Sequence, residues 1–218
     1  MSEEQVADPC PLAARSAGRP RACEAETRTQ ELMIAAAELF LEKGYSKVSL
    51  EMIARRARVA VRTIYVKFGG KSGLFREILK SGRAVYFETM EDLETNQKPI
   101  REVLIDFGMR MHELMSSGTA VKLHGMVIAE ANHDPELAQA FFESGPQQTR
   151  LALQRYFSRA DVRAQLRDIP ADQLAVHLLN CLMGDLLKRF LFACQAPAPA
   201  DALLVEQRVD LFLHGAKA

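Results

Sequence analysis

Residues 49–68 read SLEMIARRARVAVRTIYVKF. Met52, Ile53 and Ala57 recur at helical spacing, the pattern lapses for three or four residues, and it resumes at Val61. Two short helices joined by such a turn form a helix-turn-helix, whose second helix lies in the major groove of DNA. Ser49 carries the hydroxyl that an N-cap needs, and Glu51 in the first turn complements the helix dipole. The second helix is expected over Val61 to Lys67, ended by Gly69 and Gly70.

Charge supports this use. From Lys43 to Arg83 there are 11 Lys/Arg against Glu51 and Glu77, a local net of +9 in a chain of 218 residues whose 28 Lys+Arg balance 28 Asp+Glu. A basic segment in a neutral chain points to one polyanion-facing surface rather than general coating of nucleic acid. Taken alone, Arg55, Arg56, Arg58 and Arg62 also fit a solvated helix face. The ordered series of cap, helix, turn, helix, glycines and Lys71 favours DNA.

Working outward, residues 1–23 are rich in Ala, Pro, Arg and Gly and read as a flexible arm. Within it Gly18-Arg19-Pro20-Arg21, with Arg15, suits either a minor-groove contact or a solubilising tail. Leu32, Met33, Ala36, Leu39 and Phe40 form the stripe of a first helix that ends before Gly44. A fourth helix is expected from Ser72 towards Leu93. Further helices are expected over Ile100 to Met115, Ala120 to Ala131, Pro135 to Arg159 with a break or kink at Gly145-Pro146, Ala171 to Gln195, and Asp201 to His214. No stretch alternates with period two for long. The expectation is an all-α chain of about nine helices: arm 1–23, a three-helix DNA-binding domain 24–71, a connecting helix 72–95, and a larger helical domain 96–218.

The N-terminus lacks the basic and apolar regions of a secretory signal, and the most apolar stretch, Leu174 to Ala193, carries His177, Asn180, Asp185, Lys188 and Arg189. Neither export nor a membrane span is expected, so the chain is read as cytoplasmic. The four cysteines (Cys10, Cys23, Cys181, Cys194) contain no CxxC pair, and His112, His124 and His133 are not at ligand spacing, so no metal or cofactor is expected.

At the start of the recognition helix, Arg62 can donate two hydrogen bonds to guanine, worth roughly 1–3 kcal/mol of discrimination, and Val61 can offer a methyl contact to thymine. Tyr65, Lys67 and Lys71, with Lys47 before the first helix of the pair, suit phosphate anchoring. Phe68 reads as a core aromatic. Tyr65 does not, because it falls on the Arg62 side of the helix.

An ordered series runs through Ala36-Ala37, Leu39-Phe40, Gly44-Tyr45, Ser49, Ile53-Ala54, Ala57, Val59, Thr63-Ile64-Tyr65, Phe68, Lys71 and Leu74-Phe75. By this series residues 28–79 resemble the DNA-binding head of the TetR/AcrR family. The resemblance implies that Val48, Ser49, Thr63, Tyr65 and Lys71 touch phosphates and that Val61 and Arg62 face bases. Two positions depart from the family. Arg58 stands where glycine is usual, at a cost of roughly 1 kcal/mol if the turn is left-handed there, and it can compensate by reaching phosphate. Ala60 stands where Ser or Thr often caps, forfeiting roughly 0.5–2 kcal/mol.

In the C-terminal part, Met126 to Ala131, Asp134 to Ala138 and Phe141 to Pro146 are similar to the AefR-like subgroup of the same family. The resemblance implies that the helical domain 96–218 is a ligand-binding and dimerisation domain. Phe107, Met111, Met115, Met126, Phe141 and Phe142 can wall a pocket for an apolar or amphipathic effector, or can be plain core. Glu130 lies on an apolar face, where a carboxylate needs either an internal partner or a ligand. His177, Asn180 and Gly184 share one face and suit a pocket or a dimer seam. Leu178, Leu182, Leu186, Phe190, Leu204, Val209 and Phe212 suit a four-helix seam in a homodimer.

The resulting expectation is a ligand-responsive repressor binding a pseudo-palindromic double-stranded operator as a dimer. The alternatives are an architectural DNA-binding module that only dimerises, and an enzyme built on Glu130 with His112 or His124, which no nucleophile-base pair supports. A redox pair of Cys181 and Cys194 is too widely spaced along one helix to bridge within a chain.

Overall fold

The computed structural model describes residues 22–87, 93, 95–184, 186–192 and 201–218. Arg15, Gly18 to Arg21, Cys10 and Cys194 lie outside them. The described residues form α1 (Ala22–Lys43), α2 (Leu50–Ala57), α3 (Val61–Phe68), α4 (Lys71–Phe87), α5 (Ile100–Ser116), α6 (Gly118–Glu130), α7 (Pro135–Ser144), α8 (Pro146–Ser158), α9 (Ala160–Arg163), α10 (Ala171–Met183), α11 (Leu186–Leu191) and α12 (Ala202–Ala216). Among them no strand forms, and one antiparallel bridge, Leu166 to Lys217, fastens the C-terminus beside α9.

Twelve helices stand among the described residues where nine stretches are expected, because two of those stretches break and one extra turn follows Arg159. Gly145 (φ −117°, ψ −88°) separates α7 from α8, since Pro146 has no N–H with which to continue the ladder. Gly184 (φ 49°) ends α10, and α9 is a single turn after Arg159. The caps follow side-chain chemistry: Ser117 accepts from the Ala120 N–H at 3.1 Å, Asp134 from Leu137 at 2.9 Å, and Asp201 from Leu203 at 3.0 Å.

Two apolar cores organise these helices. One gathers α5, α8, α10 and α12 around Leu104, Phe107, Leu153, Phe157, Leu178 and Phe212. Gly108 lets α5 approach closely: a Cβ there would lie 2.7 Å from a Val205 methyl and 2.9 Å from Leu182. Arg101 adds a two-pronged bond to Asp210 at 2.7 and 3.0 Å, tying α5 to α12.

The other core gathers α1 to α4 around Phe40, Tyr45, Ile53, Ile64 and Phe75, and it also takes in Val127 of α6 with Leu137 and Ala140 of α7. Leu137 and Ala140 are fully buried there, and burying one leucine is worth about 2 kcal/mol. The helix-turn-helix thus shares a hydrophobic core with two helices that lie beyond residue 100.

The residues expected at the dimer seam need correction. Leu178, Leu182, Leu186, Phe190, Val209 and Phe212 are buried within the single chain, and Leu204 is half-buried. The apolar stripe of α10 faces α8 and α12, and that of α12 faces α5. Periodicity identifies a face that must be covered without saying what covers it.

Candidate nucleic-acid interface and its link to the body

Ser49 caps α2 with extended backbone (φ −97°, ψ 162°), its hydroxyl accepting from the Met52 N–H at 3.3 Å. The same hydroxyl holds the Glu51 carboxyl below its ordinary value, so α2 already has one anion at its N-terminus. Arg58 is left-handed (φ 54°, ψ 44°), the single non-glycine with positive φ among the described residues. Its N–H still closes the helix onto the Ala54 and Arg55 carbonyls. Ala60 (φ −74°, ψ 143°) has cap geometry but no side chain with which to cap α3.

Helix α3 buries Ile64 and presents Arg62, Tyr65 (56% exposed), Val66 (75% exposed) and Lys67 outward. Arg62 has no ion pair among the described residues, whereas Arg56 turns towards α1, 2.9 Å from Glu38 and 3.8 Å from Glu42. Thr63 is half-buried, and Val61 and Phe68 pack on the head core. Lys47 is exposed in the loop before α2, and Lys67 donates to the Thr29 hydroxyl of α1. Val66 was not among the expected contacts. Its position off the apolar stripe, four residues after Arg62, is the signal for it.

Two expected phosphate contacts are altered by the geometry. Val48 is buried, its N–H bonds the Tyr45 carbonyl at 3.2 Å, and its carbonyl accepts from Lys71, so its groups are already used. The Lys71 ammonium donates to the carbonyls of Tyr45 at 3.1 Å and Val48 at 3.2 Å and sits 4.2 Å from the Tyr45 ring centroid. With three N–H donors, it has one left for a phosphate. Lys71 therefore fixes the loop between α1 and α2 from the first turn of α4.

A second clamp holds that loop from the body. Glu130, the last residue of α6, accepts from the Ser46 N–H at 2.8 Å and from the Ser46 hydroxyl. Gly44 makes room for it: its φ is 85°, and a Cβ would lie 2.8 Å from Glu130 Oε1. Glu130 thus bonds within the protein, the first of its two expected uses. Nearby, burial raises the Tyr45 phenol above its ordinary value, followed in effect by the Asp134 charge.

The residues expected to wall one pocket, and Glu130 with them, fall in separate places, and Phe142 is exposed. Phe107 and Met111 are buried in the body core with Met115 against it, Met126 and Phe141 pack on the head core, and Glu130 holds Ser46. His112 bonds Ser116 at 3.1 Å, and His124 Nδ1 lies 2.8 Å from the Ala120 carbonyl. Burial lowers both imidazoles from their ordinary value. No group of three or more His, Cys, Asp or Glu with metal-binding geometry occurs among the described residues. No described helix is long and apolar enough to cross a membrane.

Comparison with known proteins agrees with this arrangement. Residues 32–78 match the family of bacterial regulatory proteins called tetR, and residues 102–215 match the C-terminal domain of AefR-like transcriptional repressors. Over 63 residues the chain is 38% identical to the HTH-type transcriptional regulator SrpR of Pseudomonas putida, a stretch covering 29% of this chain and 30% of that protein. The fold is similar to that of the flavonoid-responsive regulator FrrA, with a TM-score of 0.69 and 23% identity over 88% of this chain and 98% of that one. It is also similar to NalD, the secondary repressor of the MexAB-OprM multidrug efflux pump in Pseudomonas aeruginosa, with a TM-score of 0.62, 23% identity and the same coverages of 88% and 98%. With a helix-turn-helix matched at one end and a regulator's C-terminal domain matched over more than half its length, the chain belongs to the TetR family of DNA-binding transcriptional regulators, which are not enzymes.

Proposed function

We propose that the protein is a cytoplasmic, ligand-responsive repressor that binds a pseudo-palindromic operator as a homodimer. The observation that carries this reading is the outer face of α3, where Arg62, Tyr65 and Val66 stand exposed on a short helix within a strongly basic segment. In this reading Arg62 reads a guanine, Val66 takes the methyl-contact role expected of Val61, and Ser49, Thr63, Tyr65, Lys67 and the third donor of Lys71 hold phosphates. Lys47 and Arg58 add attraction at the rim.

The dimer is assigned to the outer faces of α10 and α12. Val176, His177 and Asn180 are exposed on α10, and Leu203 (64%) and Leu211 (69%) are exposed on α12. Exposed leucines two turns apart on one helix face suit a four-helix seam between copies. Two recognition helices then read half-sites roughly 34 Å apart.

Ligand response requires that the body's state reach the heads. The shared core of α6 and α7 with the helix-turn-helix, together with the Glu130–Ser46 clamp, supplies a stiff connection. Selection of bound sites from random DNA tests the reading. It should return an inverted repeat, and Arg62→Ala should relax preference at one position per half-site. A selected motif without symmetry, or one unchanged by that substitution, refutes the assignment.

A further inference from the structure

A cleft of about 440 Å³ opens between α4 and the junction of α7 and α8, bordered by Arg76, Lys80, Arg83, Phe87, Ser144 and Gln148. That volume falls within the roughly 300–1,000 Å³ usual for small-molecule sites. Two of its cations have carboxylates within reach: Arg76 lies 3.7 Å from Glu143, and Lys80 lies 2.6 Å from Glu77. Arg83 has no ion pair among the described residues, and its Nε is buried without a hydrogen-bond partner. After burial, the strongest influence on its guanidinium is the like charge of Arg155 on α8. A buried donor with nothing to donate to is costly, and structures retain few of them.

The surroundings define what would complete the site. The Arg83 guanidinium lies 5.3 Å from the Phe87 ring centroid, Ala84 borders the same cleft, and Phe87 meets Phe107 of the body core at 5.7 Å. A cation beside an apolar wall matches an anionic head joined to an apolar body. The Glu143 carboxylate on the rim disfavours a dianion such as a phosphate monoester. Guanidinium and carboxylate match in planar, two-pronged geometry.

We propose that this cleft binds an apolar monocarboxylate, its carboxylate on Arg83 and its body against Phe87 and Ala84. The proposal rests on the ligand-responsive reading above and names the effector's chemical class. Occupancy would draw α4 towards α8. Because α4 begins at Lys71, which holds the loop between α1 and α2, a shift of α4 is delivered directly to the head.

The test uses the full chain, with octanoate and phenylacetate as probes and their neutral amides as controls, read by calorimetry and by the melting midpoint. The carboxylates should bind at least about tenfold more tightly than the amides, as expected for loss of a charge-assisted pair, and salt should weaken them. Arg83→Met should lose carboxylate binding. Gln148→Glu places a carboxylate in the same cleft; it should raise the melting midpoint and abolish binding, which shows that the loss is not unfolding. Equal binding of amides and carboxylates, equal stabilisation by sulfate, unaltered binding by Arg83→Met, or no binding by either carboxylate overturns the proposal. Operator binding without probe is measured in parallel. A chain that binds its operator but ignores both carboxylates refutes this site alone, whereas one that selects no DNA refutes the regulator reading.

Discussion

Gly44→Ala, alone and with Glu130→Ala, tests whether the head is clamped to the body as the structure describes. Alanine at φ 85° must occupy the left-handed region, which costs about 1–2 kcal/mol. Its Cβ would also stand 2.8 Å from Glu130 Oε1, too close for a side chain whose carboxylate is anchored to Ser46. The carboxylate must swing away, giving up two charged hydrogen bonds at a solvent-facing site, worth about 1–2 kcal/mol together once screening is allowed for. The single substitution should therefore cost about 2–4 kcal/mol in urea unfolding at fixed protein concentration. In the Glu130→Ala background nothing stands in the way of the new Cβ, and the cost should shrink to the backbone share. The coupling of about 1–2 kcal/mol is read from the double-mutant cycle. Costs that are the same in both backgrounds refute the clamp.

Arg58→Gly should stabilise the head by about 1 kcal/mol, because glycine adopts the observed left-handed turn without strain, while DNA affinity falls if the guanidinium holds a phosphate; a lower melting midpoint contradicts this. Lys71→Met should speed amide hydrogen exchange over residues 44–50 even without DNA, since the ammonium ties down two loop carbonyls there; unchanged exchange would leave Lys71 a phosphate anchor only. Stability should fall as pH drops through about 6.5, the ordinary imidazole value, because burial keeps His112 and His124 neutral in the folded chain and the unfolded chain binds more protons. His124→Leu should flatten that slope, and an identical profile would rule out its share. Leu203→Glu with Leu211→Lys should yield monomers in light scattering without changing helicity, and an intact dimer would move the seam elsewhere.

Local chemistry made the helix-turn-helix readable. The Ser49 cap, the Arg58 turn, the uncapped Ala60 and the outward Tyr65 all concern groups within a few residues of one another, where backbone geometry follows from residue type. The breaks at Gly145 and Gly184 are of the same kind, although only the first was anticipated. The bonds from Lys71 to the Tyr45 and Val48 carbonyls are not legible in the same way, because both carbonyls lie more than 20 residues from Lys71 along the chain, across the head.

The sequence by itself determined the all-helical architecture, the basic recognition unit and the family, since these depend on periodicity, caps and an ordered motif. Only the tertiary structure decided which neighbour covers each apolar stripe. It sent Leu178 and Phe212 into the chain's own core rather than to a partner, packed Met126 and Phe141 against the head core rather than beside Phe107 and Met111, and gave Glu130 to Ser46. A helical pattern states that a face must be buried, and burial is satisfied equally by any apolar surface; the choice among surfaces belongs to the packing of the whole chain.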